Sequence, residues 1–493
     1  MFKKGIALAL AGALSLSLLA GCASGGSTQQ DSQVKTANLD PNNPVSITIW
    51  HYYNGAQQAA FDELVSEFNA TEGKDRGIYV EGYSKGSVSD LEKAVTASAS
   101  GEVGADNLPD VFSTYADTAY AIEQNGKLAN IADYVSADEL SQYVDGYVDE
   151  GYFDGADALY LFPVAKSTEI TMVDKTDWEP FAEATGTTTD ELSTFEGIAD
   201  VAKRYYDWTD AQTPDVAGDG KAFYGRDSMS NYFVIAMKQM GIDLLSAEDG
   251  KAVVNVDKDK IKKLWDCYYV PYVNGYFTSI GKFRSDDMKT GDLIAYTGST
   301  SSAMYFPDQV IDDDGAKPID YLVVPAPSME GTNRTQVQQG ASMAVTKSDD
   351  QHEYAACEFL KWFTAKENNL RFVCDSAYLP VLKEANSTAA LDQVVSDQNI
   401  SIAPKAHDVL ASVFDSFDGT TFYTPAASSN GYAVRKVLDY NLSDKAKADR
   451  AAVVSAMEGG ASHDDAVAPY VTDAAFDAWY DSFVAALDQA KSK

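Results

Sequence analysis

Between residues 45 and 112 the apolar pattern changes period repeatedly. Val45-Ser46-Ile47-Thr48-Ile49-Trp50 alternates with period two, the mark of a half-buried strand. Phe61, Leu64, Val65 and Phe68 then fall at helical spacing. Ile78-Tyr79-Val80 reads as a second strand, 91–99 as a second helix closed by Gly101, and Pro109-Asp110-Val111-Phe112 as the start of a third strand. Strand, helix, strand, helix, strand in that order specifies a mainly parallel, doubly wound α/β sheet.

The pattern continues with strands at Leu159-Tyr160-Leu161-Phe162-Pro163-Val164 and Ile170-Thr171-Met172-Val173, around a change of course. Helices are expected at 190–206, 231–240, 261–269 and 354–363, and strands at 321–325 and 343–345. The C-terminal third is helical in composition, and no solenoid repeat is present. Without its first 43 residues the chain keeps about 450, more than one ordinary domain, so two lobes are expected. No Pro- or Gly-rich linker separates them. A chain with two lobes and no linker has to cross between them more than once.

The first residues carry Lys3 and Lys4, then a small and apolar run to Ala20, then Leu19-Ala20-Gly21-Cys22. This is the layout of a secretory signal peptide, too short to span a bilayer as an anchor. Leu-Ala-Gly-Cys resembles the lipobox of bacterial lipoproteins. That resemblance makes residues 1–21 a cleaved signal and Cys22 the diacylated first residue of the mature chain, held at the extracytoplasmic face of the cell membrane. Two acyl chains are enough for stable anchoring. Residues 22–43 are nearly free of large apolar side chains and read as a flexible stalk.

The formal charge is −36, and loss of Lys3 and Lys4 makes the mature chain more acidic still. Nucleic acid is excluded as a partner, since its binding rests on basic contacts to phosphate. The acidity suits a soluble surface protein. Beyond Cys22 there are three cysteines, Cys267, Cys357 and Cys374, at irregular spacing. They form no disulfide framework. A Cys357–Cys374 bridge stays open, and small buried thiols are the favoured reading. Four histidines, none paired at i, i+4, give no zinc site. Asp215-Val216-Ala217-Gly218-Asp219-Gly220 hints at a calcium loop but lacks the middle acid and the closing glutamate, so a surface turn is preferred. No cofactor or metal is expected.

Further segments resemble the extracellular solute-binding proteins of ABC importers, in the family that takes sugars and glycerol 3-phosphate. They are Trp50-His51 at the end of the first strand, Pro163-Val164-Ala165-Lys166-Ser167-Thr168, Trp265-Asp266-Cys267-Tyr268-Tyr269, and Gly291-Asp292-Leu293-Ile294-Ala295-Tyr296 before the Ser-rich loop 298–302. Pro325-Ala326-Pro327, Gln339-Gly340-Ala341-Ser342, Phe359-Leu360-Lys361-Trp362-Phe363 and Tyr378-Leu379-Pro380-Val381 follow in the family's order. The resemblance implies a two-lobed periplasmic-binding-protein-like fold of type II, with doubly wound sheets joined by hinge crossings. It places 44–165 and 322–382 in lobe 1, and 166–321 and 383–493 in lobe 2. It also implies a monomer, a carbohydrate ligand, delivery to the transmembrane subunits of an ABC permease, and no catalysis. The membrane is met through the lipid alone.

By comparison with the family's glycerol 3-phosphate-binding members, ligand contacts fall at Ser167 or Thr168, in the loop with Ser299 and Ser301, at Gly340 and at Tyr378. Hydroxyls, a backbone N–H and an aromatic ring suit a polyhydroxylated ligand. Three contacts of those members do not carry over: their positions fall near Val88, near Ala116 with Asp117 beside it, and near Ser429-Asn430-Gly431, where no base stands and Arg435 is the nearest. Losing a bidentate phosphate clamp favours a neutral sugar or oligosaccharide over glycerol 3-phosphate or another polyol phosphate. Residue type adds Trp50 and Tyr52 after the first strand, and Asp227 and Asn231 opening a helix of the second lobe. Aromatics in turn-rich stretches, Trp178, Trp208, Phe422, Tyr423 and Tyr432, are weighed against core packing. Trp265, Trp362 and Trp479 lie on helical stripes and are read as core. A lipid-anchored glycan hydrolase is the competing reading, with no Gly-x-Ser-x-Gly or His-Glu-x-x-His motif to support it. A surface adhesin or sensor on the same fold is a third.

Overall fold

A computed structural model describes residues 34–153, 157–216, 218–312 and 315–492. The signal peptide, Cys22 and the first part of the stalk lie outside the described residues. No helix among the described residues is long and apolar enough to cross a membrane.

The amino-terminal half of the first sheet follows the sequence pattern. Strand β1 (Val45–His51) leads into helix α1 (Gly55–Ala70), β2 (Ile78–Ser84), α2 (Val88–Ser100), β3 (Val111–Thr114) and α3 (Ala116–Glu123). β1 pairs in parallel with both β2 and β3. Helix α2 is held at its start by Ser87, whose hydroxyl takes the Asp90 N–H, and ends at Gly101 in the left-handed region. Phe61, Leu64 and Phe68 bury the inner face of α1.

The segment 159–164 was expected as a strand. Instead it makes isolated bridges, Tyr152 with Leu159 and Phe162 with Met343, on its way to the second lobe. Pro163 has no N–H to continue a ladder. Strand β4 (Glu169–Asp174) then opens the second lobe, followed by α4 (Lys175–Thr185), α5 (Phe195–Asp210), β5 (Tyr224–Arg226), α6 (Met229–Gln239), α7 (Lys258–Asn274), β6 (Ala295–Ser299) and β7 (Tyr321–Pro325). The second sheet has the order β7-β4-β6-β5, with only β5 and β6 parallel.

The chain returns through β8 (Thr335–Val337) to β9 (Ser342–Val345), which closes the first sheet antiparallel to β3 in the order β9-β3-β1-β2. Helices α8 (Asp350–Thr364), α9 (Lys366–Ser376), α10 (Thr388–Gln398) and α11 (Pro404–Phe414) follow. A third crossing carries β10 (Thr421–Tyr423), which pairs in parallel with β8. The long α12 (Gly431–Glu458) and α13 (Asp473–Lys491) finish the second lobe.

Two apolar cores result. One holds the first sheet with α8 and α9 and runs on through α10 and α11 to Ile170, Met172 and Tyr296 on one face of the second sheet. The other holds α5, α6, α7, α12 and α13, with Trp265 and Trp479 inside it and Trp178 in α4. Trp362 is partly buried against the first core. Cys267, Cys357 and Cys374 are free, buried thiols.

Residues 34–43, part of the segment read as a stalk, lie against the body. The Lys35 N–H donates to the Asp133 carbonyl at 2.6 Å, and the Gln351 amide donates to the Asn38 carbonyl at 2.8 Å. Leu39 packs on the first core. Backbone hydrogen bonds and one apolar side chain therefore dock 34–43 on the body, in a stretch that composition alone marks as loose.

Candidate functional site

A cavity of about 370 Å³ lies between the lobes. That is within the size range of small-molecule sites. The first lobe contributes Glu92 of α2, Tyr115, Asp117 of α3, and Glu150. The crossing after β8 contributes Gln338 and Gln339, and the second lobe Ser230 and Asn231 of α6. The first turns of α12 supply Tyr432, Arg435, Lys436, Asp439 and Tyr440.

The α12 residues recur at i, i+3, i+4, i+7 and i+8, which puts them on one face of the helix. Val434, Leu438 and Leu442 bury another face in the second core. Where α12 meets the first lobe, Asp117 accepts the Ser428 N–H at 2.9 Å and the Arg435 Nε–H at 3.2 Å. Gly431 sits against the Asp117 carboxylate, where a Cβ would collide with it.

The floor is built by two buried ion pairs. Lys166, with no exposed surface, donates to Glu150 at 2.6 Å, to the Gly340 carbonyl at 3.0 Å and to Ser342 Oγ at 2.9 Å. The Gln338 amide donates to the same Glu150 oxygen and to the Gly146 carbonyl, both at 2.8 Å. On the other side Arg226 Nη2 donates to Glu169 at 3.0 Å and Arg226 Nε to the Ser228 carbonyl at 2.9 Å. Asn231 Nδ2 donates to Glu169 Oε1 and Gln339 Oε1, both at 2.9 Å. Ser228 caps α6 by accepting the Asn231 N–H, which fixes Asn231 in the first turn beside the crossing. Burial raises the carboxyls of Glu92 and Asp439 above the usual carboxylate range, against hydrogen bonds that favour their charged forms. Burial likewise pushes the Tyr115 phenol well up.

Of the residues singled out in the sequence, Asn231 lines this cavity. Tyr432, one of the aromatics weighed against core packing, lines it as well. The others are not in its lining and lie in the crossings, in the sheets and in the loops that follow the strands. Ser167 exchanges two backbone hydrogen bonds with Gln339, at 2.8 and 3.0 Å. Thr168 is buried, and its hydroxyl has no partner among the described residues. Gly340 has φ +92°, and a Cβ there would meet the Ala165 carbonyl oxygen at 2.9 Å. Tyr52 and Tyr378 are buried with hydroxyls 3.3 Å apart, and the Ala341 N–H reaches the Tyr52 hydroxyl at 3.4 Å. Trp50 is buried in β1, with the Lys85 ammonium 3.5 Å from its ring centroid. Ser299 and Ser301 hydroxyls are 3.0 Å apart beyond β6. Asp227 accepts the Arg284 N–H at 2.8 Å, and burial raises its carboxyl to about 6.

Sequence reasoning missed Glu150, Gln338, Tyr115 and Asp439. The polar and aromatic stripe 432, 435, 436, 439, 440 on a helix with an opposite apolar stripe was the signal available for part of the site. The positions near Val88, Ala116, Asp117 and Arg435, whose residue types fail to match the phosphate-binding pattern, do line the cavity.

No curated protein sequence gives a significant match to this chain. Among solved structures, the cyclic α-maltosyl-1,6-maltose binding protein of Arthrobacter globiformis is similar, at 20% identity and a TM-score of 0.62, over 91% of this chain and 99% of that one. UgpB from Mycobacterium tuberculosis, solved with glycerophosphocholine, gives 18% identity and a TM-score of 0.63 over 91% and 99% of the two chains. The ABC substrate-binding protein Lmo0181 of Listeria monocytogenes, solved with cycloalternan, gives 18% identity and 0.59 over 89% and 99%. These likenesses confirm the two-lobed fold. The sequence profile of the bacterial extracellular solute-binding proteins matches residues 63–401. With that match over most of its length, the chain belongs to the bacterial extracellular solute-binding proteins, a family of binders and not of enzymes.

Proposed function

We propose that the chain captures a carbohydrate in the cavity between its lobes and hands it to an ABC permease, while Cys22 tethers it to the outer face of the cell membrane. The observation that carries the ligand class is the charge of the cavity wall. Glu92, Asp117, Glu150 and Asp439 line it, against Arg435 and Lys436, and Arg435 is already engaged by Asp117. A phosphate would meet this excess of carboxylates without a free guanidinium to grip it. Hydroxyl groups suit the same wall, and Tyr115, Tyr432 and Tyr440 offer faces for C–H surfaces of a sugar ring. Similar structures were solved with cycloalternan and with glycerophosphocholine, so the fold accommodates both classes and the lining has to decide.

The division into 44–165 with 322–382 and 166–321 with 383–493 is our reading of the two lobes that close on the ligand. Closure is a hinge motion at the three crossings. Of the sequence candidates, Asn231 is assigned a direct ligand contact, and Ser167, Gly340 and Tyr378 support the crossings beside it.

Calorimetry of the purified protein against neutral oligosaccharides, glycerol 3-phosphate and glycerophosphocholine tests the ligand class. Saccharide binding is expected. Binding of the phosphates with no saccharide bound would sink the reading. Separately, Cys22→Ser should release the protein into the medium with ligand binding intact; retention on the membrane would remove the lipid anchor from the account.

A further inference from the structure

The cavity floor has spent its donors. Both hydrogens of the Gln338 amide go to Glu150 and Gly146, and both hydrogens of the Asn231 amide go to Glu169 and Gln339. The Gln339 amide reaches the Thr168 carbonyl at 3.4 Å, and its own oxygen is taken by Asn231. What is left on these nearly buried side chains is acceptors. Gln338 Oε1, Asn231 Oδ1 and Glu150 Oε1 take no hydrogen bond from the described residues. Gln338 is 4% exposed, Asn231 8% and the Glu150 side chain 7%, so what remains accessible opens into the cavity they line. An amide oxygen or carboxylate with no donor in a partly dry site costs free energy until a donor arrives.

Two of the four cavity carboxylates stand in contact ion pairs and two do not. Asp117 has Arg435, and Glu150 has Lys166. Glu92 accepts the Thr118 hydroxyl at 3.3 Å and feels the Lys436 charge. Asp439 is left. Its Oδ1 accepts the Ser230 N–H at 2.7 Å and lies 3.5 Å from the Ser228 hydroxyl. No ion pair within 4 Å reaches it among the described residues; burial disfavours its charged form, and the Arg435 charge and the Ser228 and Ser230 side chains offset that only in part. A carboxylate held in that state gains most from a cation that brings its own hydrogens.

From this donor and charge count we infer that the ligand is a saccharide bearing one protonated amine, with the ammonium on Asp439 and its neighbouring hydroxyls donating to the acceptors of the floor. The inference rests on the carbohydrate reading above and narrows it. An ammonium supplies three donors and one positive charge, which answers both the unused acceptors and a wall whose carboxylates outnumber its contact ion pairs. Tyr432 and Tyr440 on the same helical face add ring surfaces to which a cation is attracted.

The test is calorimetry of the purified full chain near neutral pH, with glucose, glucosamine and N-acetylglucosamine and the 1,4-linked trimer of each. The amine forms are expected to bind at least about tenfold tighter than the neutral forms, the scale of one charged hydrogen bond. N-acetylation should abolish the advantage. Asp439→Asn should bring the amine-to-neutral ratio close to one. The variant is checked for an unchanged circular dichroism spectrum. Equal or tighter binding of the neutral forms, or a ratio that survives Asp439→Asn, overturns the inference and leaves the carbohydrate reading standing. Absence of binding by every saccharide overturns both.

Discussion

The two ion pairs under the cavity differ in how completely they are satisfied. Lys166 has three donors and three acceptors, drawn from Glu150, Gly340 and Ser342, so it ties the first crossing to the second with nothing left over. Arg226 places Nε on Ser228 and Nη2 on Glu169, but its Nη1 is buried without a partner among the described residues. The same side of the molecule holds the unpartnered Thr168 hydroxyl and the raised carboxyls of Asp174 and Asp227. The first root of the hinge is therefore at a local optimum. The second carries polar groups that lose little when their surroundings shift, and it is the half expected to yield when the lobes move.

The strongest challenge to this contrast is Lys166→Met. It should leave Glu150 buried without its cation and cost about 3–5 kcal/mol, read from the urea midpoint. A cost near zero would mean the first root is no tighter than the second. Arg226→Met should cost less, about 1.5–3 kcal/mol, because Asn231 still donates to Glu169 and an unsatisfied Nη1 is removed with the side chain. If it cost more than Lys166→Met, the contrast would be reversed.

Acid sharpens the same comparison. Asp174 and Asp227 both titrate near 6 in the folded protein, chiefly through burial, and lower when unfolded. Between those values the folded state binds the extra protons, so stability should rise as pH falls from about 7 to about 5, by on the order of 1–2 kcal/mol. Asp174→Asn keeps the cap over Thr176 and should remove about half of that rise, the rest belonging to Asp227. A rise unchanged in this variant would place the buried acid elsewhere. The smallest effect belongs to the first root: Tyr52→Phe removes the 3.3 Å hydroxyl contact with Tyr378 and should cost about 0.5–1.5 kcal/mol by thermal unfolding.

The fold was legible where a local period decides the outcome. The 45–112 alternation became β1 to β3, with helices where the apolar stripes lie. It failed at 159–164, where apolar and aromatic composition suggested a strand but the partners are single bridges, Leu159 to Tyr152 and Phe162 to Met343. The site was less legible for the same reason. Glu150, Gln338 and Asp439 come from three separated stretches, and nothing local marks a glutamine that will meet a glutamate across a crossing. Asn231 was found because a helix start in a second lobe is where a polar side chain is presented. Asp117 and Arg435 were passed over because they break a phosphate-binding pattern, yet they pair with each other across the cavity.

The parallel ribbon of β8 and β10 ends at Gln338, whose N–H is held by the Tyr423 carbonyl at 2.8 Å. On the proposed reading, the strand that would bend as the lobes move is continuous with a residue that lines the ligand cavity. Selection therefore has no separate dial for grip and for speed in this protein. If the proposed delivery to a permease holds, a substitution that retunes recognition at 338 or 339 also resets how readily the clamp opens, and variants bred for tighter capture are expected to surrender turnover.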